Sequence, residues 1–176
     1  MERLSPIHQQ FILHWGEMGT RWGINRTVAQ IHALLYLSPT PLHAETIAET
    51  LQVARSNVST SLKELQGWRI VHLVHIMGDK RDHFESEKDV WEMFRVIADE
   101  RKRREIDPTR EMLQQCLATP GKDLDAYTNE RLRALSEFFE TTSTWYVQIS
   151  RLPRGAVMKF AAMGDKVGKL LGLKGG

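Results

Sequence analysis

The chain has 176 residues, 41% of them hydrophobic and 26% charged, the balance of a folded globular protein and not of a disordered one. A formal net charge of +2 is too small to argue for nucleic acid by itself, so such a case has to rest on local arrangement. The single cysteine, Cys116, excludes an internal disulfide framework and fits a reducing, cytoplasmic location. Its neighbours Met112, Leu113 and Leu117 predict an inert thiol on an apolar helical face. The opening residues lack a basic-then-apolar signal pattern, and no stretch approaches a membrane span.

Ile7, Phe11, Trp15, Met18 and Trp22 recur at steps of three and four, predicting an amphipathic helix from Ser5 to Trp22. Ser5 suits its N-cap and Pro6 its first turn, while Gly16 and Gly19 allow close approach of a second helix. After Gly23, Asn25 caps a helix running to about Leu37, with Val28, Ile31, Leu34 and Leu35 inward. Ser38-Pro39-Thr40-Pro41 breaks the chain.

Two short helices follow, Ala44 to Leu51 and about Arg55 to Trp68, separated by only a few residues. Ile47, Ala48 and Leu51 give the first its buried face, and Val58, Leu62 and Leu65 the second. Two such faces joined so tightly must cross steeply, as in a helix-turn-helix. The period then changes: the β-branched, apolar run Ile70 to Met77, the turn Gly78-Asp79-Lys80 and a return over Arg81 to Glu85 predict a β-hairpin wing.

Beyond the hairpin, Glu87 to Ile106 reads as a charged helix that Pro108 interrupts, with Thr109 to Leu117 as a further short helix. A long helix is expected from Leu124 to Leu152, and Pro153 opens a final basic amphipathic stretch. The expected fold is mainly α with a small β-hairpin wing. It comprises a winged helix-turn-helix over residues 25–86, with residues 1–24 and 87–176 as helical dimerisation regions.

At 100° per residue, the line Val58, Leu62, Leu65 leaves Ser56, Thr60 and Lys63 on the opposite side of the second short helix, with Asn57 and Ser59 flanking. Short hydroxyl and amide side chains let a helix sit deep in the major groove of double-stranded DNA, and Arg55 at its start can reach a guanine or a phosphate. Lys80 and Arg81 at the hairpin tip suit a narrow, electronegative minor groove. These eight residues form the candidate DNA-binding set. The competing interpretation is a winged-helix protein-interaction module that does not read DNA, since any surface helix turns polar residues outward.

Residues Leu42 to Val71, with Ile47-Ala48, Val53-Ala54-Arg55-Ser56-Asn57-Val58-Ser59, Leu62-Lys63-Glu64-Leu65 and Gly67-Trp68, resemble the GbsR branch of the MarR-type regulators. Asp79-Lys80-Arg81 is similar to the family's D-x-R wing, whose Asp steadies an Arg entering the minor groove. The likeness continues through Trp91-Glu92-Met93-Phe94. His43 and Ala54 stand where many relatives carry helix-capping residues, and the Leu-Thr pair that usually closes the wing is absent from Asp82 to Ser86. The resemblance implies a transcriptional regulator, a repressor in function, that acts as a homodimer on a palindromic operator. It also implies a small-molecule effector such as choline or a related quaternary ammonium compound.

A dimer agrees with the surplus of large apolar residues at Trp15, Trp22, Trp145, Tyr146 and Phe160. Cation-π recognition of a quaternary ammonium would use Trp91, Phe94, Phe138, Trp145 and Tyr146, although aromatics at helical spacing are usually core. The basic tail after Arg151 suits dimer packing better than stable membrane association. On a strand, His72 and His75 point to opposite faces and cannot share a metal. The sequence carries no metal, cofactor or catalytic motif, so neither a cofactor nor an enzymatic activity is expected.

Overall fold

Helix starts follow the side chains that can satisfy their first amides. In the computed structural model, which describes residues 4–118, 125–153, 155–157, 159 and 163, the Ser5 hydroxyl accepts from the His8 N–H and begins α1 (Pro6–Arg21). Asn25 does the same for Thr27 at 2.8 Å and begins α2 (Arg26–Leu37). The two helices pack closely. An ideal Cβ on Gly19 would lie 2.5 Å from the Ala29 Cβ, and one on Gly16 would lie 2.7 Å from the Gln30 Cγ, so these glycines are packing requirements.

A two-residue strand, β1 (Leu42–His43), leads into α3 (Ala44–Leu51), and α4 (Arg55–Gly67) follows after three residues. The turn is tight because Gln52 adopts the left-handed conformation, φ 54°, and the Val53 N–H returns to the Ala48 carbonyl at 3.0 Å. Ile31, Leu35, Ile47, Val58, Leu65, Ile70 and Val71 are all under 2% or at 2% exposed and form one core, with α2 at its centre. From beyond the wing, Lys88 Nζ donates to the carbonyls of Leu35, Tyr36 and Ser38 at 2.8–2.9 Å, closing the C-terminal end of α2.

The hairpin consists of β2 (Val71–Val74) and β3 (His83–Ser86), shorter than the runs expected from the sequence. Around its tip the backbone turns on itself instead of continuing the ladder. The Asp79 N–H reaches the Ile76 carbonyl, and the Arg81 N–H reaches the Asp79 carboxylate, each at 3.0 Å. The sheet has a third, unforeseen member. β1 pairs antiparallel with β3, setting Leu42 opposite Phe84 and His43 opposite His83 in the order β1-β3-β2.

The chain divides into two units, Met1–Ile97 and Ala98–Gly176. Helix α5 (Val90–Arg101) begins at Asp89, whose carboxylate accepts from the Trp91 and Glu92 amides. Pro108 was expected to break the helical path, and it does not. A π-helical stretch, Lys102–Ile106, runs straight into α6 (Asp107–Ala118), with the Asp107 N–H bonded to the Lys102 carbonyl. Proline lacks an N–H and crowds the carbonyl four residues back; widening the preceding turn relieves both problems without ending the helix.

Within the second unit, α6 packs on α7 (Ala126–Ser150), and Leu113 and Ser143 are the buried residues of the two helices. Glu140 accepts from Arg110 Nε at 3.2 Å and from Gln114 Nε2 at 2.9 Å, and the Arg110 guanidinium holds its carboxyl below the usual range. Cys116 is exposed and not covered as expected, because Leu113 occupies the inward position on α6. Phe160 and most of the C-terminal basic stretch lie outside the described residues.

Candidate nucleic-acid interface

The burial pattern of α4 sets its two sides. Val58, Ser61, Leu62 and Leu65 are buried, whereas Arg55, Ser56, Asn57, Thr60 and Lys63 are exposed and Ser59 is half-buried. Ala54 offers no side-chain cap, so the first amides of α4 lack the carboxyl or hydroxyl partner that a helix start usually has. Arg55, Ser56 and Asn57 of that first turn are all exposed. An uncapped, positive helix start favours an anionic neighbour such as a phosphate.

At the wing, Gly78 takes φ 87°, which only glycine adopts without strain. The turn it allows brings Asp79 against Arg81. Arg81 Nε donates to both Asp79 oxygens at 2.9 and 3.1 Å, and Nη2 adds a further bond to the same carboxylate. This fork holds the Asp79 carboxyl well below the ordinary carboxylate range. Lys80 is exposed beside it, and Met77 is fully exposed at the tip. Helices α3 and α4 and the wing enclose a cleft of about 330 Å³ whose lining includes Glu45, Arg55, Ser59, Lys63, Leu73 and Arg81.

Two polar residues bonded to Arg55 and Arg81 were not foreseen from the sequence, Glu45 in this cleft and His43 just before α3. Glu45, in the first turn of α3, accepts from Arg55 Nε at 2.8 Å, and the hydrogen bond from Arg55 is the chief reason its carboxyl is lowered to about 2. His43 lies 2.8 Å from Arg81 Nη1 through Nε2 and 3.1 Å from Glu45 Oε2 through Nδ1. Its ring stands edge-on to that of buried His83, with centroids 5.5 Å apart. His83 Nδ1 in turn donates to the Arg81 carbonyl at 2.9 Å. A ten-residue spacing and an ordinary-looking histidine gave no periodic signal for either contact.

The aromatic residues considered for a cation site fall on α5 and α7. Trp91, half-buried, and Phe94, 62% exposed, meet edge to face at 6.4 Å. On α7, Phe138 and Trp145 are exposed, and the half-buried Tyr146 donates its hydroxyl to Asp99 at 2.7 Å. No described helix is long and apolar enough to cross a membrane.

A helix-turn-helix followed at once by an antiparallel hairpin, with a third strand entering from before the motif, defines a winged helix-turn-helix protein. Residues 22–82 match the model of the MarR family. The chain is 23% identical over 154 residues to the HTH-type transcriptional repressor GbsR of Bacillus subtilis (strain 168), covering 82% of this chain and 85% of that one. A crystal structure described as that of a transcriptional regulator shares the fold at a TM-score of 0.66 and 18% identity, covering 89% of this chain and 99% of that one. Residues 22–82 thus resemble the MarR family, and most of the chain resembles a transcriptional repressor.

Proposed function

We propose that the protein is a sequence-specific DNA-binding repressor that acts as a homodimer on a palindromic operator. Helix α4 enters the major groove with Arg55, Ser56, Asn57, Ser59, Thr60 and Lys63, and the wing carries Lys80 and Arg81 to the adjacent minor groove. The observation that carries this reading is the outward side of α4, polar and without an acidic residue of its own from Arg55 through Lys63, set beside an arginine clamped at the wing tip. A repressor described as such among its relatives supports the direction of regulation. The region 25–86 is the DNA-reading domain in this reading, and the flanking segments 1–24 and 87–176 join the subunits. Exposed Phe138, Trp145 and Tyr127 on α7 supply apolar surface for that purpose. A dedicated pairing region is what two recognition helices need to lie about 34 Å apart on one face of the duplex.

The test begins with selection of bound fragments from random duplex DNA, where a palindrome reports the dimer and its spacing. Arg55→Ala with Lys63→Ala is then expected to weaken binding about ten- to a hundredfold and to flatten the log-affinity against log-salt slope by about 2, one per lost phosphate contact. Unchanged affinity and slope would assign the winged helix to protein docking instead. For the effector, we propose a quaternary ammonium compound such as choline, recognised through exposed aromatic rings. Tryptophan fluorescence should change on titration with choline or glycine betaine, with a matching shift in operator affinity; a flat titration with both removes the effector.

A further inference from the structure

Arg55 opens the recognition helix and Arg81 ends the wing turn, yet the two are joined by a continuous set of hydrogen bonds. Asp79 holds Arg81 Nε, Arg81 Nη1 meets His43 Nε2 at 2.8 Å, His43 Nδ1 meets Glu45 Oε2 at 3.1 Å, and Glu45 Oε1 holds Arg55 Nε at 2.8 Å. The donors dictate the ring's tautomer. A guanidinium nitrogen only donates, so Nε2 must accept and the proton sits on Nδ1, where it faces the carboxylate. In that state Nδ1 cannot also cap α3 by accepting from the Thr46 N–H, 3.3 Å away. The register of β1 places the ring there, since His43 pairs with His83 two residues after Arg81.

We propose that His43 and Glu45 are positioning residues that present Arg55 and Arg81 together, so that recognition helix and wing meet DNA in one preset geometry; this rests on the DNA-binding reading above. Charge alone does not explain the cluster. Asp79 and Glu45 cancel Arg55 and Arg81, so these four groups add nothing to the net attraction for phosphate. Stability does not explain it either, because exposed ion pairs contribute at most about 1 kcal/mol. Placement does. An arginine side chain loses much rotamer freedom on docking, and holding it beforehand removes that cost from the specific complex. Loose, non-specific association needs no such placement, so the relay acts on the specificity ratio.

His43→Ala is therefore expected to lower the ratio of selected-duplex to scrambled-duplex affinity about three- to tenfold in anisotropy titrations, while scrambled-duplex binding stays unchanged. His43→Gln, whose amide can accept from Arg81 and donate to Glu45, should restore most of the ratio. In an Arg81→Ala background, His43→Ala should add no further loss. A parallel loss on both duplexes, or no rescue by glutamine, would overturn the proposal. If the wild-type protein prefers no duplex, the DNA-binding reading fails. The relay itself is then judged by ¹⁵N spectra of the arginine side chains. His43→Ala should free the Arg81 guanidinium to rotate and shift the Arg55 Nε–H, with recovery in His43→Gln, whereas spectra identical to wild type would sink it.

Discussion

Leu65→Ala is expected to lower the unfolding free energy by about 3–4 kcal/mol, well inside the range for buried leucine truncations. Leu65 is fully buried on the inner side of α4, where it belongs to the core formed with α2 and with Trp68, Ile70 and Val71. The surroundings explain why the loss should be large. Leu65 borders a small apolar cavity of about 30 Å³ that is also lined by Trp15, Met18, Val28, His32 and Trp68. Truncation would enlarge an existing void instead of opening one that neighbours can fill. The walls cannot close in easily, because they sit on helices whose separation Gly16 and Gly19 already hold near its minimum. Urea titration with an unchanged m-value would report the loss as a shift of midpoint. A cost under about 1 kcal/mol would show that α4 is not anchored through this residue.

That anchoring was legible in the sequence because it is periodic. Val58, Leu62 and Leu65 mark one side of a helix wherever it occurs, and the same spacing located α1 and α2. The caps at Ser5 and Asn25 were legible for a similar reason, since each acts on amides two or three residues away. What escaped lies in contacts without period. β1 has two residues, too few for an alternating pattern, and its pairing with β3 joins Leu42 to Phe84 and His43 to His83 across about 40 positions of chain. The Glu45–Arg55 bond depends on how steeply α3 crosses α4, which is set by the left-handed Gln52, a residue type that does not announce such a conformation. Pro108 was misleading for the opposite reason. Proline signals a broken α-helix locally, but the signal does not say whether the chain will turn away or widen for a few residues and continue.

Acid should expose a second feature of the same core. His32 is 4% exposed on α2, its Nε2 has no hydrogen-bond partner among the described residues, and burial pushes its pKa down from 6.5 to about 4, with a smaller contribution from the Lys88 charge. Trp15 and Tyr36 flank its ring at centroid distances of 6.4 and 6.5 Å. The imidazole thus stays neutral in the folded protein until about pH 4, whereas the unfolded chain binds that proton from about 6.5 downward. Below 6.5 the unfolded state holds the extra proton, so stability falls as pH drops through this window and levels off near 4. The full loss is on the order of 3 kcal/mol at 1.36 kcal/mol per pKa unit. Carboxylates such as Glu45, Glu100 and Glu140 are lowered by their arginine partners and lose their contribution mainly below the ordinary carboxylate range, on the far side of this window. His32→Leu keeps an apolar side chain of similar size without a titrating group. The difference in unfolding free energy between wild type and His32→Leu should change by about 3 kcal/mol between pH 7 and 4. A pH-independent difference would mean that the ring takes up its proton inside the folded core, and that the aromatic pocket around it opens to water well before the protein unfolds.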